Sequence, residues 1–146
     1  MNFVEEPKRR VLDEELERRA VEFHGHGGPF MTVGLRMGLY ALGHLDCRGW
    51  FDVSCRVALR WMPPDSCVID GIQSSTGCTM GKRNLEVVDG GGVSATFTSK
   101  GGSVTLTLRE EVLKKIKSGL GDEEAARELM GWLGGAAALE LFEVRG

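Results

Sequence analysis

From Phe30 to about Leu45 the chain reads FMTVGLRMGLYALGHL, with Arg36 as its main polar exception. Pro29 just ahead of it suits the first turn of a helix, where a missing N–H costs nothing. A helix that is apolar on most sides is either buried or membrane-spanning. This one falls short of the about 20 apolar residues a bilayer crossing needs. The rest of the chain must therefore wrap around it. Gly34 and Gly38 stand four apart on one face, so another element is expected to approach closely there.

The flanking segments supply that cover. Asp13 to Phe23 reads as a helix, with Asp13 as cap, acids in the first turn and Leu12, Leu16, Ala20 and Phe23 at helical spacing. Asp52 to Leu59 reads as a strand. Pro63-Pro64-Asp65-Ser66 is a turn that leads into a short helix from Cys67 to about Ser75. Asn84 to Val88, Val93 to Thr98 and Ser103 to Leu108 read as three strands. Asp89–Gly92 and Ser99–Gly102 between them carry hairpin signals. Amphipathic helices follow at about 110–117 and 122–133, within a helical tail of about 110–133, and 139–144 is a possible final strand or extended arm. Helices, then a strand meander, then helices argue for a single α+β domain over 1–146, with a mixed, mostly antiparallel sheet and a motif-bearing core of about 13–108.

A chain of 146 residues can bury a real core without staples, and its apolar (42%) and charged (27%) fractions are those of a globular protein. The formal charge of −3 gives no electrostatic reason to expect nucleic acid or an anionic membrane as partner. Lys8-Arg9-Arg10 and the lysines at 114, 115 and 117 read as solvated faces. The charged stretch Glu5 to Arg10 does not resemble a secretory signal, so the cytoplasm is the expected compartment. None of Cys47, Cys55, Cys67 and Cys78 forms a C-x-x-C pair, which excludes zinc-ribbon and thioredoxin-type motifs. Free thiols or metal ligands are expected rather than disulfides, and Cys47 and Cys55 read as small buried hydrophobes.

Two glycine-rich segments carry the chemistry: Phe23-His24-Gly25-His26-Gly27-Gly28-Pro29, and the run from Asp70 to Lys82, DGIQSSTGCTMGK. On a helix, His24 and His26 would diverge. In irregular backbone, residues two apart share a side and could hold a transition metal. A helix cap and turn whose histidines bond backbone carbonyls explains them equally well. Cys78 lies between flexible and polar neighbours, with Lys82 and Arg83 near enough to favour a thiolate. Cys67, Asp70 and Gln73 recur at three-residue spacing, a polar stripe expected to face the pocket that receives Cys78. The stretch is not a phosphate loop, because three residues rather than four precede its Gly-Lys and Arg83 follows it.

Together these residues resemble a known family. FHGH-x-x-Pro, an apolar helix with Gly34-Leu35-Arg36, and Cys-x-x-Asp-x-Ile-Gln-x-x-Thr-Gly-Cys-Thr-x-Gly-Lys followed by Asn84-Leu85 carry the resemblance, from about Glu22 to Leu108. They resemble the FmdE family, the E-type subunits of formylmethanofuran dehydrogenase. The resemblance implies an α+β fold, a homodimer, and a divalent transition metal, zinc by default, held by His24, His26, Cys67 and Cys78. Asp70 would orient a ligand or act with Cys78 in catalysis, and Gln73, Thr79 and Lys82 would line the pocket. It also implies association with a molybdenum or tungsten formylmethanofuran dehydrogenase complex. Many members carry a cysteine before the motif proline, where this chain has Gly28. With no iron–sulfur ligand run, the chain is not equipped to reduce carbon dioxide alone. The resulting expectation is a small metal-binding accessory protein. A stand-alone metal- or thiol-dependent enzyme and a metal-free dimeric interaction module are the alternatives.

Overall fold

The structure, a computed structural model, describes residues 10–146. Lys8 and Arg9 of the first basic cluster lie outside the described residues. Helices α1 (Glu14–His24) and α2 (Pro29–His44) come first, followed by strand β1 (Ser54–Leu59) and helix α3 (Cys67–Thr76). Strands β2 (Leu85–Asp89), β3 (Val93–Ser99) and β4 (Gly102–Leu108) follow. Helices α4 (Glu110–Ser118), α5 (Glu123–Gly135) and α6 (Ala138–Leu141) lead to the last strand, β5 (Phe142–Arg145). The result is one α+β domain with a five-stranded mixed sheet in the order β2-β1-β3-β4-β5.

Helix α1 starts where the Asp13 carboxylate accepts the Leu16 N–H at 2.8 Å. It stops at Gly25, whose φ of 102° is left-handed and whose N–H reaches the Val21 carbonyl at 2.6 Å. Helix α2 is buried as its composition demands: Phe30, Met31, Val33, Leu35, Met37, Ala41 and Leu42 are all in the core. Arg36 is accounted for too, donating from Nη1 to the Leu133 carbonyl near the end of α5 at 2.5 Å. No described helix is long and apolar enough to cross a membrane.

The element that approaches the glycine face of α2 is α3. A Cβ on Gly34 would run into the Val68 carbonyl and lie 2.8 Å from the Ile72 nitrogen. A Cβ on Gly71 of α3 would in turn meet the Met31 carbonyl and lie 2.8 Å from Gly34 Cα. At this crossing the two backbones touch, and the crossing sets where the polar stripe of α3 points.

The sheet corrects one expectation. Asp89–Gly92 is not a hairpin turn, because β2 and β3 are not neighbours: β1 lies between them, parallel to β2 and antiparallel to β3. The parallel pair needs a crossover, and α3 is that crossover. The Gly-rich turn then passes over the end of β1, with the Gly90 N–H on the Leu59 carbonyl at 2.8 Å and the Trp61 N–H on the Asp89 carboxylate at 2.9 Å. A local turn signal cannot tell whether a third strand already occupies the space between its two arms. The second turn does close a hairpin, with Ser99 opposite Gly102. β1 begins at Ser54 rather than at Asp52, whose carboxylate instead accepts the Arg48 and Gly49 N–H groups at 2.8 Å each. At the C-terminus, α6 takes up the start of the expected last strand, leaving Phe142–Arg145 to pair antiparallel with β4.

Candidate functional site

His24 is the last residue of α1, and the left-handed turn at Gly25 carries the chain away from it, so its ring projects toward α3. There Nδ1 meets Asp70 Oδ2 at 2.5 Å. The His24 side chain is only 9% exposed, against 35% for Asp70, so the imidazole is the desolvated member of the pair. Its other nitrogen, Nε2, is buried with no hydrogen-bond partner among the described residues. A carboxylate holding Nδ1–H leaves Nε2 as a bare lone pair in the neutral ring.

Two cavities meet at this histidine. One, of about 320 Å³, has His24, Cys67, Asp70 and Gln73 as polar lining and Trp61, Ile69, Met80, Leu85 and Val87 among its apolar walls. The α3 stripe therefore does face a common cavity. The other, of about 530 Å³, brings His24 and Cys67 together with His26, the glycines before Pro29 and the turn between α4 and α5. His24 and Cys67 are the two residues common to both. A larger cavity of about 950 Å³ lies against the loop from Leu45 to Ser54 and contains none of the expected site residues.

His26 packs its ring 4.7 Å from that of His24 and directs Nδ1 to the Gly27 carbonyl at 2.9 Å, leaving Nε2 for another partner. Both readings of the histidine pair are thus partly realised: one bonds a backbone carbonyl and the other does not. A Cβ at Gly28 would rest 3.4 Å from His26 Cε1. The position where many relatives carry a thiol is thus beside the histidine pair, and here it adds no donor. Burial pushes the Cys67 thiol above its ordinary pKa, and the charges of Asp70 and Asp65 push it the same way.

Cys78 stands apart from this group, against the expectation that it shares the α3 pocket. It is fully buried in the core, lines neither His24 cavity, and aims Sγ at the Val53 carbonyl 3.6 Å away. Lys82 and a hydrogen bond with Thr76 do lower its pKa, but burial outweighs both and the net direction is upward. The rest of the motif builds a turn. The Thr79 N–H donates to Asn84 Oδ1 at 2.9 Å, Lys82 Nζ donates to Thr79 Oγ1 at 2.8 Å, and Asn84 Nδ2 reaches the Trp50 and Val53 carbonyls. Thr79 and Lys82 line neither His24 cavity; Met80, between them, lines the smaller one. Trp61 and Met80, 59% and 68% exposed, form apolar rim that the sequence pattern did not mark. Their signal, large apolar residues in turns, is shared with any surface outlier.

Comparison with known proteins places this arrangement. The family model described as FmdE, molybdenum formylmethanofuran dehydrogenase operon, matches residues 23–141, from the base of α1 to the start of β5. The chain belongs to the FmdE family. Among solved structures, this FmdE-family chain is similar to an FmdE-like protein of tungsten formylmethanofuran dehydrogenase type from Syntrophus aciditrophicus. The TM-score is 0.68 at 22% identity, over 96% of this chain and 76% of that one, so what the two share is the fold. Among curated proteins it is 35% identical over 85 residues to a probable S-adenosyl-L-methionine-binding protein of Archaeoglobus fulgidus. That match spans 56% of this chain but only 23% of the relative's length.

The donors at His24 suit a transition ion in kind. Imidazole and thiolate are the ligands zinc takes, and an orphaned, buried imidazole nitrogen is a vacant donor. Among the described residues, no three His, Cys, Asp or Glu side chains are grouped tightly enough to form a finished cage. The donors meet in pairs, His24 with Asp70 and His24 with His26.

Proposed function

We propose that this FmdE-family protein is a small metal-binding accessory protein whose ion is held by His24 Nε2, His26 and Cys67, with Asp70 as the orienting carboxylate. The observation that carries this reading is the buried His24 Nε2, without a hydrogen-bond partner among the described residues while Asp70 fixes the opposite nitrogen. Metal-bound histidines are commonly held this way, with a carboxylate setting tautomer and ring direction. Zinc is the default ion for mixed imidazole and thiolate donors. When bound it would supply Lewis acidity in a cavity whose walls, Trp61, Ile69, Met80, Leu85 and Val87, limit access of water. Cys78 is left out of the ligand set, since its sulfur faces the core.

Family membership supports a functional relation to formylmethanofuran dehydrogenase, and the proposed setting is association with that molybdenum or tungsten enzyme as a homodimer in the cytoplasm. The thiol-enzyme reading has no support from Cys78, which is buried and protonated at neutral pH.

The test is elemental analysis of protein purified without a histidine tag, after reconstitution with zinc. About one zinc per chain is expected for the wild type and for Cys78→Ser, with loss in His24→Ala and Cys67→Ser. Zinc retained in His24→Ala, or absent from the folded wild type, overturns the ligand set.

A further inference from the structure

The first described residue is not solvated in the way its place in a basic cluster suggests. The Arg10 guanidinium lies 4.1 Å above the Trp50 ring, and its Nη1 is buried without a hydrogen-bond partner among the described residues. A recess of about 210 Å³ opens beside it, lined by Arg10, Leu16, Arg19, Phe23, Gln73, Ser74 and Thr79. Arg19 shares Nε with Glu15 at 3.0 Å. The carboxylates of α1 are otherwise directed to Arg18, from Glu15 and Glu22 at 3.2 Å each. Two cations thus line one small recess with no carboxylate among its described lining residues. Like charges brought together cost free energy unless an anion lies between them, and a buried guanidinium N–H costs more if left unbonded.

We propose that this recess is an oxyanion-binding site, in which Arg10 and Arg19 hold a carboxylate or phosphate group of a small molecule. The guanidinium fork is the side chain best matched to such a group. Trp50 fixes the plane of Arg10, and the hydroxyls of Ser74 and Thr79 with the Gln73 carboxamide offer neutral hydrogen-bonding groups around it. Burial and the charge of Arg19 both depress the Arg10 pKa, which is the direction expected of a cation lacking its counter-ion. Gln73 lines both this recess and the His24 cavity, so an anionic ligand here would lie next to the proposed metal site. The inference does not depend on that site binding metal.

The probe is inorganic phosphate, titrated into the full chain at constant ionic strength and followed by amide chemical shifts, with acetate as a second arm. Expected is a saturable response at residues around Gln73 to Thr79, weakened about tenfold or more in Arg10→Gln and in Arg19→Gln. Saturation by acetate as well as phosphate identifies a general carboxylate and phosphate site; saturation by phosphate alone restricts the ligand to phosphate. Should Arg10→Gln fail to fold, Arg19→Gln still decides, because that side chain is 65% exposed. A linear, non-saturating response to both anions, or saturation equal in wild type and Arg19→Gln, overturns the proposal.

Discussion

The chemistry of this chain turns on a division of labour between the two nitrogens of one residue. His24 Nδ1 is held by Asp70 at 2.5 Å, and Nε2 is buried and open. Asp70→Asn keeps the shape of the contact while removing the charge that favours the Nδ1–H tautomer. Zinc affinity is expected to fall about 10- to 100-fold. Competition with a chromophoric chelator measures it, and an unchanged affinity would mean Asp70 orients nothing. Cys78 is expected to behave oppositely to its motif. Buried, with its pKa raised chiefly by that burial, it should react with iodoacetamide at pH 8 far more slowly than half-buried Cys67 in metal-free protein. Peptide mass spectrometry separates the two sites, and faster labelling of Cys78 would restore it as a nucleophile.

At the scale of elements, the contact between α2 and α3 decides where the site forms. Gly34 and Gly71 allow the two helices to meet backbone to backbone, which sets Cys67, Asp70 and Gln73 of α3 toward the end of α1. A methyl at position 34 must displace main chain rather than a flexible side chain. Gly34→Ala is therefore expected to destabilise the protein by about 3 kcal/mol, the upper range for overpacking. Because the displaced element carries Asp70, zinc affinity should fall with it. Urea denaturation together with the chelator assay tests this; a variant as stable as wild type would show that α3 can shift freely. The glycine pair Gly34 and Gly38 announced the close approach, but not which element would make it. The parallel placement of β2 beside β1 was likewise hidden, because it follows from α3 acting as a crossover rather than from anything in the turn at Asp89 to Gly92.

For the molecule as a whole, the buried thiols couple folding to alkaline pH. Burial raises the pKa of Cys55, in β1, and of Cys78, and the nearby Cys78 adds to the rise at Cys55. A raised folded value means that the native chain keeps protons which the unfolded chain releases above about pH 8.5. Their contribution is thus fully present below the unfolded value and is lost as pH rises through the folded value. Stability measured by urea between pH 7 and pH 10 should decline, and decline less in Cys55→Ala than in wild type. A flat profile, or equal slopes in the two proteins, would show that these thiols do not govern it. Family membership belongs to this scale as well, since the matching model runs over 23–141 and takes in the sheet and most of the helices.

The sequence by itself determined the elements and the family. An all-round apolar helix has only the interior to occupy, alternating strands have one face to bury, and the spacing of Cys67, Asp70 and Gln73 fixes one stripe whatever it faces. These are local consequences of helical and strand periods. What only the tertiary structure decided is which polar residues meet. His24 and Asp70 are 46 residues apart and touch because α1 packs on α3, whereas Cys78 is eight residues from Asp70 and turns into the core. Arg10 leaves its basic cluster to stack on Trp50 for the same reason. Sequence proximity constrains a side chain by a few backbone torsions, but burial is assigned by the packing of whole elements, and at Cys78 the packing prevailed over the polar character of its neighbours.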